Sequence, residues 1–260
     1  FSSPARPSAV SSLLGVWALF LAFLLLQVGN GLQRILLPMR AESEGFGAGS
    51  MGLVMGVHFA GYLLGAKGIP RALSSVGHIR VFAALASTAS TAVLINAVLV
   101  LPASWAAVYF IGGVCNAGVF VILESWLNDR ATNETRGSIL GTYMMIMMGG
   151  TAIGQLLLNL GDPAGFELFV LSSVLISLAV VPVTLSASTA APIPSRETMP
   201  LRELYRTIPA AVVGIILCSF VQSASTSMAA VYGTASGLGA GRITLFTSGA
   251  VIGAITLQIP

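Results

Sequence analysis

The chain has 260 residues, of which 55% are apolar and only 8% charged, and its mean hydropathy is +0.91. Water-soluble domains carry about a quarter charged residues, so ordinary soluble, disordered and collagen-like classes are excluded. The formal charge of +3 comes from basic residues scattered between apolar runs. That excludes the basic, aromatic-interleaved stripe that tracks a phosphate backbone, and with it a nucleic-acid partner. What remains is an all-α polytopic membrane protein whose partner is the lipid bilayer.

Continuous apolarity of about 18 residues or more predicts spans. They fall at 12–38, 50–69, 80–101, 104–127, 137–159, 165–186, 208–232 and 242–259. The first is too long, and followed by too many others, to be a signal peptide. Loop charges then orient the bundle. The N-terminus and even-numbered loops hold Arg6, Lys67, Arg71, Arg80, Arg130, Arg136, Arg196, Arg202 and Arg206, whereas odd-numbered loops hold Arg40 and Arg242, and the acids divide evenly between the two sides. An excess of Lys and Arg marks the cytoplasmic side. This places the N-terminus in the cytoplasm.

The first span carries Gln27, Asn30, Gly31 and Arg34 on what helical spacing makes one face. An arginine inside a span is costly and must find a cavity, a partner or the headgroups. Two readings follow: Arg34 snorkels to the interface, or the stripe lines a central cavity in which Arg34 attracts an anionic group. Gln33 is expected to point elsewhere. In the second span His58 either packs with one hydrogen bond or titrates. His78, in the next loop, is expected at the surface or as a cap.

The fourth span places Asn116 deep in the membrane and Glu124 near its cytoplasmic end. A carboxylate there needs a cation or a proton. It is read as an ion-pair lock with Arg71, Arg80, Arg130 or Arg136, or as a proton carrier. In the fifth span Gln155 and Asn159 either border the cavity or bond a neighbouring helix. Gln222, Ser223 and Thr226 make the seventh span polar in its middle, as suits a lumen-facing helix. Cys115 and Cys218 lack metal-ligand spacing and read as small core residues. No catalytic, metal or cofactor motif is found, so no cofactor and no enzyme activity are expected.

Residues 186–207 are rich in Pro, Ser and Thr, and 187–207 is read as a cytoplasmic linker between an N-terminal half (1–186) and the start of a second (208–260). Residues 45–65 and 237–257 also match at six positions with an offset of 192, four of them glycines. Two halves in parallel orientation would give that pattern.

Two blocks, ESWLNDRATNETRG at 124–137 and GYLLGAKGIPRALSSVGHIRVFA at 61–83, resemble a bacterial branch of the major facilitator superfamily. Gly77, His78 and Arg80 match the later half of that family's signature loop. Ser74 and Ser75 stand where an Asp-Arg pair is usual, so the family's latch is altered, with Arg71, Arg80 and Glu124 as substitutes. The resemblance implies a twelve-helix bundle of which about eight helices are present. It implies a monomer of the bacterial inner membrane that moves a small solute by alternating access, with proton coupling an option through Glu124 or His58. It assigns Gln27, Asn30, Arg34, Asn116 and the 222–227 segment to the cavity wall. The alternative is a non-transporting receptor or scaffold on the same bundle.

Overall fold

Each apolar run folds as a helix, as chain segments without access to water must. In a computed structural model describing residues 17–185 and 200–257, α1 (Trp17–Ser43), α2 (Ala48–Val76), α3 (His78–Val98) and α4 (Pro102–Arg130) follow one another through short turns. Then come α5 (Arg136–Leu156, continued by a 3-10 turn Leu157–Leu160), α6 (Glu167–Leu178) and its continuation α7 (Val180–Leu185). The short α8 (Leu201–Thr207) leads into α9 (Pro209–Ala235) and α10 (Ala240–Leu257). Among the described residues, six helices are long and apolar enough to cross a membrane, the last of them Glu167–Leu185. In α9 the apolar stretch is shorter, Pro209–Gln222. The expected linker, 187–207, falls partly outside the described residues, and its described remainder contains the helix α8.

Several helices outrun their expected ends. Pro38 and Pro70 lie inside α1 and α2, because neighbouring helices compensate for the lost backbone bonds. α4 and α9 each begin on a proline, whose missing N–H costs nothing at a helix start.

The packing has an internal order. α1 lies along α5 and α2 along α4; α3 packs on α4, α1 on α6, and α3 on α6. Exchanging helices α1–α3 for α4–α6 maps this set of pairings onto itself, with α3–α6 as the pair that maps to itself. Such closure is what two inverted-topology triplets produce.

Glycine makes the two main pairings tight. A Cβ on Gly61 would overlap the Phe110 carbonyl oxygen, and one on Gly113 that of His58, across α2 and α4. A Cβ on Gly31 would strike the Thr151 carbonyl, and one on Gly154 that of Val28, across α1 and α5. With lipid as apolar as leucine, helices associate through close contact and hydrogen bonds rather than through hydrophobic drive. The bonds are there: the Ser172 hydroxyl donates to the Gly29 carbonyl at 2.9 Å, and the Ser90 hydroxyl shares hydrogen bonds of 2.7 Å with those of Ser173 and Ser177.

The faint repeat at offset 192 has a structural counterpart. α1 ends at Ser43 and α9 at Ala235; α2 begins at Ala48 and α10 at Ala240. Both junctions turn on a glycine of positive φ, Gly45 (75°) and Gly237 (74°). Both carry the same pair of backbone bonds, Gly45 to Glu42 with Phe46 to Ala41, and Gly237 to Thr234 with Leu238 to Gly233. This is the helix-ending turn that glycine alone adopts without strain. α10 packs on α5 and α9 on α1.

Replacing Gly61 or Gly154 with alanine forces backbones apart and is expected to cost about 1–3 kcal/mol, as overpacking does. Gly68→Ala, where a Cβ meets nothing within 4 Å, should be neutral or stabilising by up to about 1 kcal/mol from helix propensity. Thermal unfolding of the detergent-solubilised variants checks both. Equal losses at all three positions would contradict the glycine argument.

Candidate functional site

α1, α2, α3, α4 and α9 enclose a cavity of about 680 Å³. That lies in the range of small-molecule sites. Its polar lining comes from Asn30, Gln33 and Arg34 on α1, His58 on α2, Asn116 on α4 and Gln222 on α9. Its apolar lining includes Leu26, Met55, Phe59 and Val108.

The α1 stripe is divided differently from the sequence expectation. Gln27 is buried, and its amide donates to the Met147 carbonyl of α5 at 3.4 Å. It shares the α5-facing side of the helix with Gly31, which touches Thr151. The cavity face is instead 26, 30, 33 and 34. Gln33, expected elsewhere, therefore belongs to it. Gly31 marks the packing seam, and Gln27, one turn away, goes with it.

Arg34 opens onto the cavity, and its side chain is exposed there although it stands within the span. Its electrostatic neighbours are Tyr109, Tyr62 and His58, so it points into the bundle. His58 is half-buried and its Nδ1 lies 3.2 Å from the Tyr109 carbonyl oxygen. Both cysteines line the cavity, Cys115 buried on α4 and Cys218 exposed on α9. Neither is a mere core filler.

Gln155 does not reach the cavity. It is buried, and its Oε1 accepts a hydrogen bond from the Ser248 hydroxyl of α10 at 3.2 Å. The interhelical reading of this residue is the one its geometry fits. Ser223 and Thr226 lie on α9, but their side chains fall outside the described residues.

The charged end of the bundle gathers Arg71, Arg80, Arg130 and Arg136, all exposed. Glu124 makes no ion pair with them within 4.0 Å among the described residues. Its carboxylate accepts a hydrogen bond from the Tyr143 hydroxyl of α5 at 3.3 Å. Tyr143 is itself held by a parallel stack on Phe23 of α1, with ring centroids 4.8 Å apart. The expected arginine partner is replaced by a tyrosine because α5 presents Tyr143 on the turn facing α4. Nothing in the run GTYMMIMM singles out this tyrosine.

His78 is corrected more sharply. It is buried rather than on the surface, with its ring 5.6 Å from that of Trp126. Gly77 (φ 91°) turns the chain so that His78 starts α3 beneath α4. The 61–83 and 124–137 blocks thus meet through this ring contact. His78 Nε2 and Trp126 Nε1 are both buried without a hydrogen-bond partner. Among the described residues no group of three or more His, Cys, Asp or Glu is placed to hold a metal ion.

Cysteine accessibility checks this geometry. In a background lacking Cys115 and Cys218, a cysteine at 116 should react with a water-borne thiol reagent at least an order of magnitude faster than one at 155, because access controls the rate. Equal rates would remove the distinction between cavity and seam.

Comparison with known proteins follows the same lines. No protein-family model matches the chain. It is 31% identical over 145 residues to an uncharacterized MFS-type transporter of Enterobacter sp. (strain 638), a match spanning 55% of this chain and 38% of that protein. It is 32% identical over 145 residues to the uncharacterized MFS-type transporter YcaD of Escherichia fergusonii, with the same coverage. The YcaD protein of Escherichia coli O139:H28 is 31% identical over the same length. The match thus spans well under half the length of these relatives. The chain is a polytopic α-helical membrane protein similar to transporters rather than to enzymes.

Proposed function

We propose that the chain forms part of a major facilitator superfamily transporter that moves a small solute across the bacterial inner membrane by alternating access. The observation that carries this reading is the polar cavity between α1, α2, α4 and α9, with Asn30, Arg34, Asn116 and Gln222 on its wall. A receptor or scaffold on the same bundle has no need to keep a guanidinium and three amides inside its core, where each is costly unless used. The similarity to proteins described as MFS-type transporters supports the same conclusion.

In this reading 1–186 is an N-terminal half, 187–207 joins it to a second half that begins at 208, and the N-terminus is cytoplasmic. Ser223 and Thr226 complete the α9 wall, while Gln27 and Gln155 support the site from the seams. Arg71, Arg80, Arg130 and Arg136, with Glu124, serve the cytoplasmic gate. A proton gradient supplies the energy, with His58 at the cavity or Glu124 near the gate as the group that exchanges its proton between the two sides.

The full-length protein in proteoliposomes, offered a broad solute panel with and without an imposed pH gradient, tests this. Saturable uptake that rises with the gradient is expected. Asn116→Ala and Gln222→Ala should lower it several-fold through KM. Substituting the proton-carrying group, by Glu124→Gln or His58→Gln, should abolish the response to the gradient while solute exchange persists. No uptake of any solute in the panel would overturn the proposal.

A further inference from the structure

Resting on the transport reading, the charge inventory of the cavity narrows the solute. Nineteen residues line it, and Arg34 is the one permanently charged side chain among them. Among the described residues the lining contains no carboxylate, and the electrostatic neighbours of Arg34 are tyrosines and a histidine rather than acids.

The repeat explains why the facing wall brings no counter-charge. At the offset of 192, Leu26 corresponds to Cys218 and Asn30 to Gln222, and all four line the cavity. The same register sets Thr226 against Arg34. The two walls therefore match in position but differ in charge. α1 supplies a guanidinium, and α9 has a neutral residue at the corresponding position.

A guanidinium that stands within a membrane span with no carboxylate beside it on the cavity wall is unfavourable, and a bound anion relieves that cost. Guanidinium also presents paired N–H donors that fit a carboxylate or a comparable oxyanion at two points. The surrounding amides of Asn30, Asn116 and Gln222 offer neutral donors, which orient an anion without adding charge. Leu26, Met55, Phe59 and Val108 leave part of the wall apolar. A dianion such as a phosphate ester would place a second negative charge against neutral groups.

We infer that the cavity binds an organic monoanion, a carboxylate or sulfonate with an apolar body, with Arg34 as the group that recognises its charge. Cations are repelled from the same position, and neutral analogues of equal size bind less tightly because they leave the guanidinium unpaired.

Cys218 provides a reporter that works whatever the natural solute is. In the full-length protein, modification of the peptide containing Cys218 is followed by mass spectrometry with an anionic (sulfonatoethyl) and a cationic (trimethylammonioethyl) methanethiosulfonate. The anionic-to-cationic rate ratio should exceed that on free mercaptoethanol several-fold. It should fall to the free-thiol ratio in Arg34→Gln and persist in Arg34→Lys. Protection of Cys218 by benzoate should exceed that by benzamide, with benzylamine weakest. A wild-type ratio no higher than the free thiol's, a ratio unchanged by Arg34→Gln, or equal protection by the three ligands would overturn the inference; the wild-type measurements decide it even if a variant fails to fold. Anion preference at Cys218 without uptake of any solute would sink the transport reading and leave this one standing. Uptake of a cation, indifferent to Arg34→Gln, would do the reverse.

Discussion

Backbone-to-backbone contact governs this bundle. In hydrocarbon a helix gains nothing by hiding leucine from lipid, so the favoured pairings are those that let peptide groups approach closely. Gly31 and Gly154 bring α1 onto α5, and Gly61 and Gly113 bring α2 onto α4. Each contact fixes the rotation of its helix as well as its position. Once Gly31 and Gln27 face α5, helical geometry leaves 26, 30, 33 and 34 for another side, and that side is the cavity. Likewise the seam through Gly113 leaves Gly112 and Asn116 on the cavity wall. The polar site is thus a consequence of where the small residues are.

The two levels of repetition divide the work. The inverted relation between α1–α3 and α4–α6 produces the two tight pairs. The parallel relation at offset 192 brings α9 beside α1 with equivalent residues on one cavity. The identical glycine turns at Gly45 and Gly237 are what make the second relation more than composition. Helix ends repeat only when the chain must reverse at the same place. In charge, the walls of α1 and α9 differ at the pair Arg34 and Thr226.

Much of this is legible from residues alone. Apolar length marks the spans, the sorting of arginines marks the basic end, and their cost in lipid marks Asn30, Arg34, Asn116 and Gln222 as cavity residues. Other features are hidden for identifiable reasons. The inverted repeat relates helices that run in opposite directions, so no alignment of the sequence with itself displays it. Gln27 and Gln155 carry the same amide as Gln222. Only the rotation of each helix separates a seam from a wall, and rotation is set by partners on other helices. His78 reads as a loop residue because the turn at Gly77 is so short that α2 ends and α3 begins around it. Tyr143 gives no signal, since its role depends on Phe23 and Glu124, which other helices bring to it.

The distribution of tight and loose contacts also bears on how such a bundle can change shape. α2 and α4 are locked by glycine on both sides and by the contact of His58 with the Tyr109 carbonyl. α1 and α5 are locked by glycine and by the stack of Phe23 on Tyr143. Neither seam slides without driving a carbonyl oxygen into a Cα, so each pair moves as a unit. The join to α9 and α10 is of another kind. Its described links include the hydrogen bond of Ser248 to Gln155, and a Cβ on Gly241 would meet α5's extension no nearer than 3.8 Å, at the Asn159 side chain. A seam of side chains can re-form in a second arrangement, whereas a seam of backbones has one. In the transport reading, motion that opens or closes the cavity is therefore directed to the boundary between the six-helix bundle and α9–α10, and the cavity lies on that boundary.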